Sequence, residues 1–185
     1  MAKLPNFQKL WDNYPGKQSA DEVKQLIGGA VNADWITNTC TIRMSRAFNL
    51  AGFKVPFGHK FAAGGQPAML NTVKGGDGLR YAFRVAEFLK YMKEQFGKPQ
   101  IRILQERGSA MPDAFKGRQG IVVFNDCGWS DATGHFDLWN RDQIGHEGYW
   151  DKAKEVYLWA ADGKYTVTSS STLNQNGTPV VTLGR

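Results

Sequence analysis

Thr37-Asn38-Thr39-Cys40-Thr41-Ile42-Arg43-Met44-Ser45-Arg46-Ala47 is the stretch on which the reading of this chain turns. Asn38 or Thr39 suits a helix cap and Gly52 suits a terminator, so a helix is predicted from about Thr39 to Ala51. Met44, Ala47, Phe48 and Ala51 continue one face from Cys40, which puts the thiol in the first turn, facing the core. A helix N-terminus favours thiolate over thiol, and the thiolate is the nucleophile. Far downstream, Gly134-His135-Phe136-Asp137-Leu138-Trp139-Asn140 alternates as a strand with a histidine at its start. A thiol at a helix start followed by a histidine on a strand is what nucleophilic catalysis by cysteine needs. Spacing alone leaves a packed structural cysteine as an equal alternative.

The 185 residues suit one domain, 1–185, with enough chain to bury a core. The hydrophobic share of 42% and charged share of 22% are ordinary for a globular protein and argue against a disordered chain. No apolar run approaches the roughly 20 residues that span a bilayer, so no membrane insertion is expected. Met1-Ala2-Lys3-Leu4-Pro5-Asn6 lacks the apolar stretch of a secretory signal, so any action outside the cytoplasm requires another route. The net charge of +6 favours an anionic partner. Without a dense basic run, nucleic acid is not expected. Two cysteines, Cys40 and Cys127, are too few for a disulfide scaffold. No cysteine cluster has metal-ligand spacing, and neither a metal nor a cofactor is called for.

Residues 1–18, with Trp11, Tyr14, Pro15 and Gly16, read as an irregular arm packed by its aromatics. Ser19 and Glu22 match a capping box, and Val23, Leu26, Ile27, Ala30 and Val31 follow with helical spacing, although Gly28-Gly29 weakens it. Residues 53–78 are rich in glycine and proline and read as a long loop. A further helix is predicted from Leu79 to Phe96, with Tyr81, Val85, Phe88, Leu89, Met92 and Phe96 on its apolar stripe and Gly97 at its end. From Gly117 the pattern is β: Gly120–Phe124, His135–Trp139 and Val156–Trp159 are predicted strands. Helices followed by short strands imply an α+β fold with an antiparallel sheet. The tail from Thr166 to Thr178 reads as edge strands or a mobile end.

A catalytic imidazole needs a third group to hold its tautomer. Asn140, Asp142 and His146 are the candidates. In a tight hairpin, a residue about eleven positions beyond His135 returns beside it, which favours His146 and leaves Asp142 as the alternative; a surface histidine at 146 fits the pattern as well. Gly134 lets a substrate or another backbone come close to His135. Trp129 and Ser130, in the run leading to His135, are candidate walls of a substrate cleft, with a cap on the core the equal alternative for Trp129. His59 sits in the glycine-rich loop and reads as structural or solvated. Cys127, at a strand end, reads as a packed thiol. Gly75-Gly76-Asp77-Gly78 lacks the pattern of a phosphate loop.

The run Asn38-x-Cys40-x-Ile42-Arg43-x-Ser45-x-Ala47-x-Asn49 resembles the nucleophile motif of the fourth family of type VI secretion amidase effectors. So do Gly117-x-x-Gly120-Ile121-Val122-Val123-Phe124, Gly128-Trp129, Gly134-His135-x-Asp137-Leu138-Trp139-Asn140 and Tyr157-Leu158-Trp159, in the same order over residues 8 to 160. The resemblance implies a papain-like, NlpC-like fold with N-terminal helices packed on an antiparallel β-sheet. It implies a toxin delivered without a signal peptide to a target cell's periplasm, which cleaves peptidoglycan stem peptides between D-glutamate and meso-diaminopimelate. A cognate immunity protein and the type VI secretion machinery are the implied partners. By position, Cys40 is the nucleophile and His135 the general base. The third position, often aspartate in the family, falls on His146. Some members pair a cysteine matching Cys127 with a second near that hairpin; residues 140–150 hold none, so Cys127 is expected to be free. A phage or housekeeping wall hydrolase and a Cys/His acyltransferase share these residue types, and a non-catalytic basic module is the alternative outside enzymes.

Overall fold

In the computed structural model, which describes residues 1–62, 65–161, 171–173 and 179–181, helix α1 (Phe7–Asp12) opens the chain. It stands where the sequence pattern predicts an irregular arm. Two local features suffice for a short helix instead: Asn6 accepts the Lys9 N–H, and Phe7 and Leu10 share a buried face. The chain forms two compact units, Met1–Gly97 and Lys98–Arg185.

In the first unit, α2 (Ala20–Ile27) starts at the predicted capping box, where the Ser19 hydroxyl accepts the Glu22 N–H and Glu22 accepts the Ser19 N–H. It stops at Gly28, whose φ of 69° is a left-handed conformation that favours glycine. The apolar spacing that runs through to Val31 continues in a separate 3₁₀ turn, Gly29–Asn32. Helix α3 (Cys40–Leu50) lies within its predicted bounds.

Strands β1 (Thr72–Lys74) and β2 (Arg80–Ala82) then pair antiparallel. The helix predicted from Leu79 therefore begins later, as α4 (Val85–Phe96). The glycine-rich turn explains the difference. Asp77 accepts the Leu79 N–H at 3.0 Å and the Tyr81 hydroxyl at 2.6 Å, and Gly78 donates to the Gly75 carbonyl at 3.0 Å. Tyr81 is thus buried on a hairpin among Val23, Ile27, Val31, Ile36 and Ile42 rather than on a helix stripe. Phe48 of α3 meets Phe88 and Phe96 of α4, each with ring centroids 5.8 Å apart.

The second unit is built on a five-stranded antiparallel sheet. Its strands are β3 (Ile101–Leu104), β4 (Arg118–Asn125), β5 (Gly134–Arg141), β6 (Gln143–Ile144) and β7 (Glu155–Ala160), in the order β3-β7-β4-β5-β6. Three of these contain the predicted strands. Ile101, Ile103, Val122, Phe124, Trp139, Val156 and Leu158 form one buried cluster. Residues Ser171–Leu173 and Pro179–Val181 pair antiparallel, so part of the tail is β; residues 166–170 and 174–178 lie outside the described residues. Helices followed by an antiparallel sheet make an α+β fold, as the sequence pattern implies.

Candidate active site

Cys40 is the first residue of α3 and is buried. Thr39 occupies the N-cap position, and the Oδ1 of Asn38, one residue earlier, accepts the Cys40 N–H at 3.0 Å. The Thr39 hydroxyl accepts a hydrogen bond from Arg43 Nε at 3.3 Å. Arg43 is itself buried and also donates to the Pro15 carbonyl, so the first turn of α3 is tied to the segment before α2.

His135 is the second residue of β5, buried, and directly opposite Phe124 of β4. Gly134 is required because a backbone comes close: a side chain there would place its Cβ 2.2 Å from the Phe124 carbonyl oxygen. That strand neighbour, rather than a substrate, accounts for the glycine.

The two-residue period of a strand puts His135, Asp137 and Trp139 on one face of β5 and Phe136, Leu138 and Asn140 on the other. Asn140 therefore points away from the imidazole, and its Oδ1 accepts a bond from Gln119 Nε2 at 2.7 Å. Asp142 is exposed in the turn between β5 and β6. His146 does come near: its ring centroid is 6.5 Å from that of His135. The pairing Trp139↔Ile144, continued by two residues, sets position 146 against Asp137 rather than against His135.

Asp137 stands beside His135, and the sequence pattern does not single it out. Its side chain is fully buried, and its Oδ2 lies 3.3 Å from His135 Nε2. Both carboxylate oxygens also accept backbone N–H groups, from Leu138, His146 and Glu147, at 2.7 to 3.1 Å. The signal for it is an acidic residue within a strand buried on both faces, two positions from the histidine.

Tyr149 is the other residue missed. Its ring stands edge-on to His135 at 5.0 Å and to Trp129 at 4.7 Å. Trp129 and Ser130 line a cavity of about 470 Å³ formed by residues 125–133, so an aromatic path runs from that cavity to the imidazole. Cys127 is a free, buried thiol whose Sγ donates to the Phe124 carbonyl at 3.7 Å. Burial, with the nearby Asp126 charge, pushes its pKa up to about 11. His59 forms an ion-pair contact with Glu94 at 3.3 Å and packs against Phe61 and Tyr91. Among the described residues, no group of three or more histidine, cysteine or acidic side chains is placed to hold a metal ion. None of the described helices is long and apolar enough to cross a membrane.

Residues 36–159 match the family model described as type VI secretion system, amidase effector protein 4. Several solved structures are similar. The type VI effector–immunity complex Tae4–Tai4 from Enterobacter cloacae matches with 29% identity and a TM-score of 0.72, over 85% of this chain and 99% of that one. The corresponding complex from Salmonella Typhimurium matches with 26% identity and a TM-score of 0.71, over the same shares. The Enterobacter cloacae effector Tae4 alone matches with 29% identity and a TM-score of 0.72, over 86% and 99%. None of the curated proteins compared with the chain matches it.

Proposed function

Because the chain belongs to the type VI secretion system amidase effector 4 family, we propose that it is a cysteine amidase acting on peptidoglycan stem peptides. The bond it cuts is that between D-glutamate and meso-diaminopimelate, in the periplasm of the target cell. The chain is an antibacterial amidase effector of type VI secretion with a papain-like, NlpC-like fold. What carries the finer reading is that the match over 36–159 includes both Cys40 and His135 together with the segments that position them. In this reading the 185 residues act as a single catalytic domain.

The Cys40 thiolate attacks the γ-D-glutamyl carbonyl. Backbone N–H groups at the start of α3 hold the oxyanion. That of Cys40 is occupied by Asn38, so the substrate oxygen competes with the Asn38 carbonyl for it. Protonated His135 gives its proton to the departing amine of diaminopimelate, and the acyl group remains as a thioester on Cys40. Neutral His135 then takes a proton from water. The resulting hydroxide attacks the thioester, which releases the D-glutamyl carboxylate and restores the thiol. Trp129 and Ser130 bind the stem peptide from the cavity they line. A cognate immunity protein binds this chain, as Tai4 does in the similar complexes, and the type VI machinery carries the chain out of the producing cell.

The test is mass spectrometry of muropeptides from purified sacculi treated with the protein or with Cys40→Ala. Fragments cut between D-glutamate and diaminopimelate, seen only with the native protein, are expected. Equal cutting by folded Cys40→Ala would rule out the assigned nucleophile. Intact muropeptides in both samples would rule out the reaction.

A further inference from the structure

We infer that Asp137, rather than the ring of His146, is the positioning residue of His135, an inference that rests on the function proposed above. The two side chains share a face of β5, and Oδ2 of Asp137 lies 3.3 Å from Nε2 of His135. A contact of that length is ordinary for a catalytic pair before substrate binds. Asp137 is fully buried, whereas His146 is exposed.

The partners of the carboxylate assign the tautomer. Asp137 receives N–H groups from Leu138, His146 and Glu147, so it faces its surroundings as an acceptor. A ring nitrogen turned toward it must supply a proton. Nε2 of neutral His135 is thus the protonated nitrogen, and Nδ1 is left as the ring's acceptor. His146 contributes its backbone N–H, which donates to both Asp137 oxygens at 3.1 Å. Its position in the hairpin matters because it helps fix the carboxylate. The same carboxylate holds His135 and the 146–147 backbone, so ring orientation and hairpin conformation are set together.

Two measurements test this. The first is ¹⁵N NMR of the His135 ring in Cys40→Ala, assigned with a His135→Gln partner, above the pH at which the ring loses its proton. The Nε2–H tautomer is expected, and Nδ1–H would overturn the inference whether or not the protein cleaves sacculi. The second is steady-state hydrolysis. Asp137→Asn keeps the shape but offers an amide that can face Nε2 as donor or acceptor. It is expected to lower kcat by about 10²- to 10⁴-fold with KM little changed, and to shift the His135 tautomer populations. His146→Ala is expected to lose less. Asp137→Asn with kcat within threefold of native, or His146→Ala losing as much as Asp137→Asn, would overturn the inference. If Asp137→Asn does not fold, the tautomer seen with native Asp137 decides alone. Failure of native protein to hydrolyse sacculi would refute the function proposed above while leaving the tautomer result to stand or fall by itself.

Discussion

The start of α3 and the end of β4 each place a buried cysteine beside polar backbone, and they do so in opposite ways. Cys40 begins a helix, where the first N–H groups lack intrahelical acceptors, and its own is taken by Asn38. Cys127 follows a strand. Its sulfur is turned toward a carbonyl, that of Phe124, and packs with Phe124, Trp139 and Val156. A helix start offers N–H donors to an anion at the first site. At the second it would meet an acceptor, apolar side chains and the Asp126 charge. Burial is common to both sites, so burial does not separate the proposed nucleophile from the other thiol. What separates them is whether the surrounding dipoles present N–H or C=O.

Mutation puts that contrast to its largest test. Cys40→Ala is expected to lower muropeptide release by about 10⁴-fold or more, as loss of a nucleophile does, while Cys127→Ala costs less than about tenfold. Comparable losses from both would erase the distinction.

Alkylation compares the two thiols in the native protein. With its pKa near 11 against an ordinary 9.0, Cys127 holds about 100-fold less thiolate at pH 8 than an ordinary thiol. Iodoacetamide at pH 8 is therefore expected to modify Cys40 first, and the Cys127 rate should climb steeply only as pH approaches 11. Peptide mapping after timed quenching measures both, and equal labelling at pH 8 would contradict the difference.

Two stability effects follow the supporting backbone. Gly134→Ala drives a Cβ against the Phe124 carbonyl, and a loss of about 2 kcal/mol in urea unfolding is expected, with reduced hydrolysis because His135 is the next residue. An unchanged midpoint would mean that β4 and β5 part without cost. Smallest is Asn38→Ala, which removes the acceptor for the Cys40 N–H and is expected to cost about 1 kcal/mol or less in the same assay.

Much of this architecture is legible in the amino-acid pattern. Caps and terminators act within four residues, so Ser19–Glu22 and Asn38–Cys40 mark their helices, and Gly97 marks the end of α4. Alternation marks β4, β5 and β7 because one period governs each whole strand. The stripe through Tyr81 misleads for a physical reason. A residue at the right spacing for a helix face is equally apolar on a strand, and the Asp77 hydrogen bonds that close the hairpin leave no trace in the apolar spacing. Strand β3, four residues at the sheet edge, carries only the brief alternation Ile101-Arg102-Ile103, and its partner β7 lies more than fifty residues away in the chain.

The class of fold, the thiol at a helix start and the imidazole on a strand all follow from the order of the residues. Each of these rests on interactions between near neighbours in the chain. Which group stands against that imidazole is a matter of tertiary contacts. Hairpin register brings position 146 to Asp137 instead of to His135, and strand periodicity turns Asn140 to the opposite face. Counting eleven residues forward points to a side chain; the fold supplies that residue's backbone N–H and leaves the carboxylate of Asp137 beside the ring. A buried carboxylate needs several donors at once, and only a closed hairpin assembles them around one side chain.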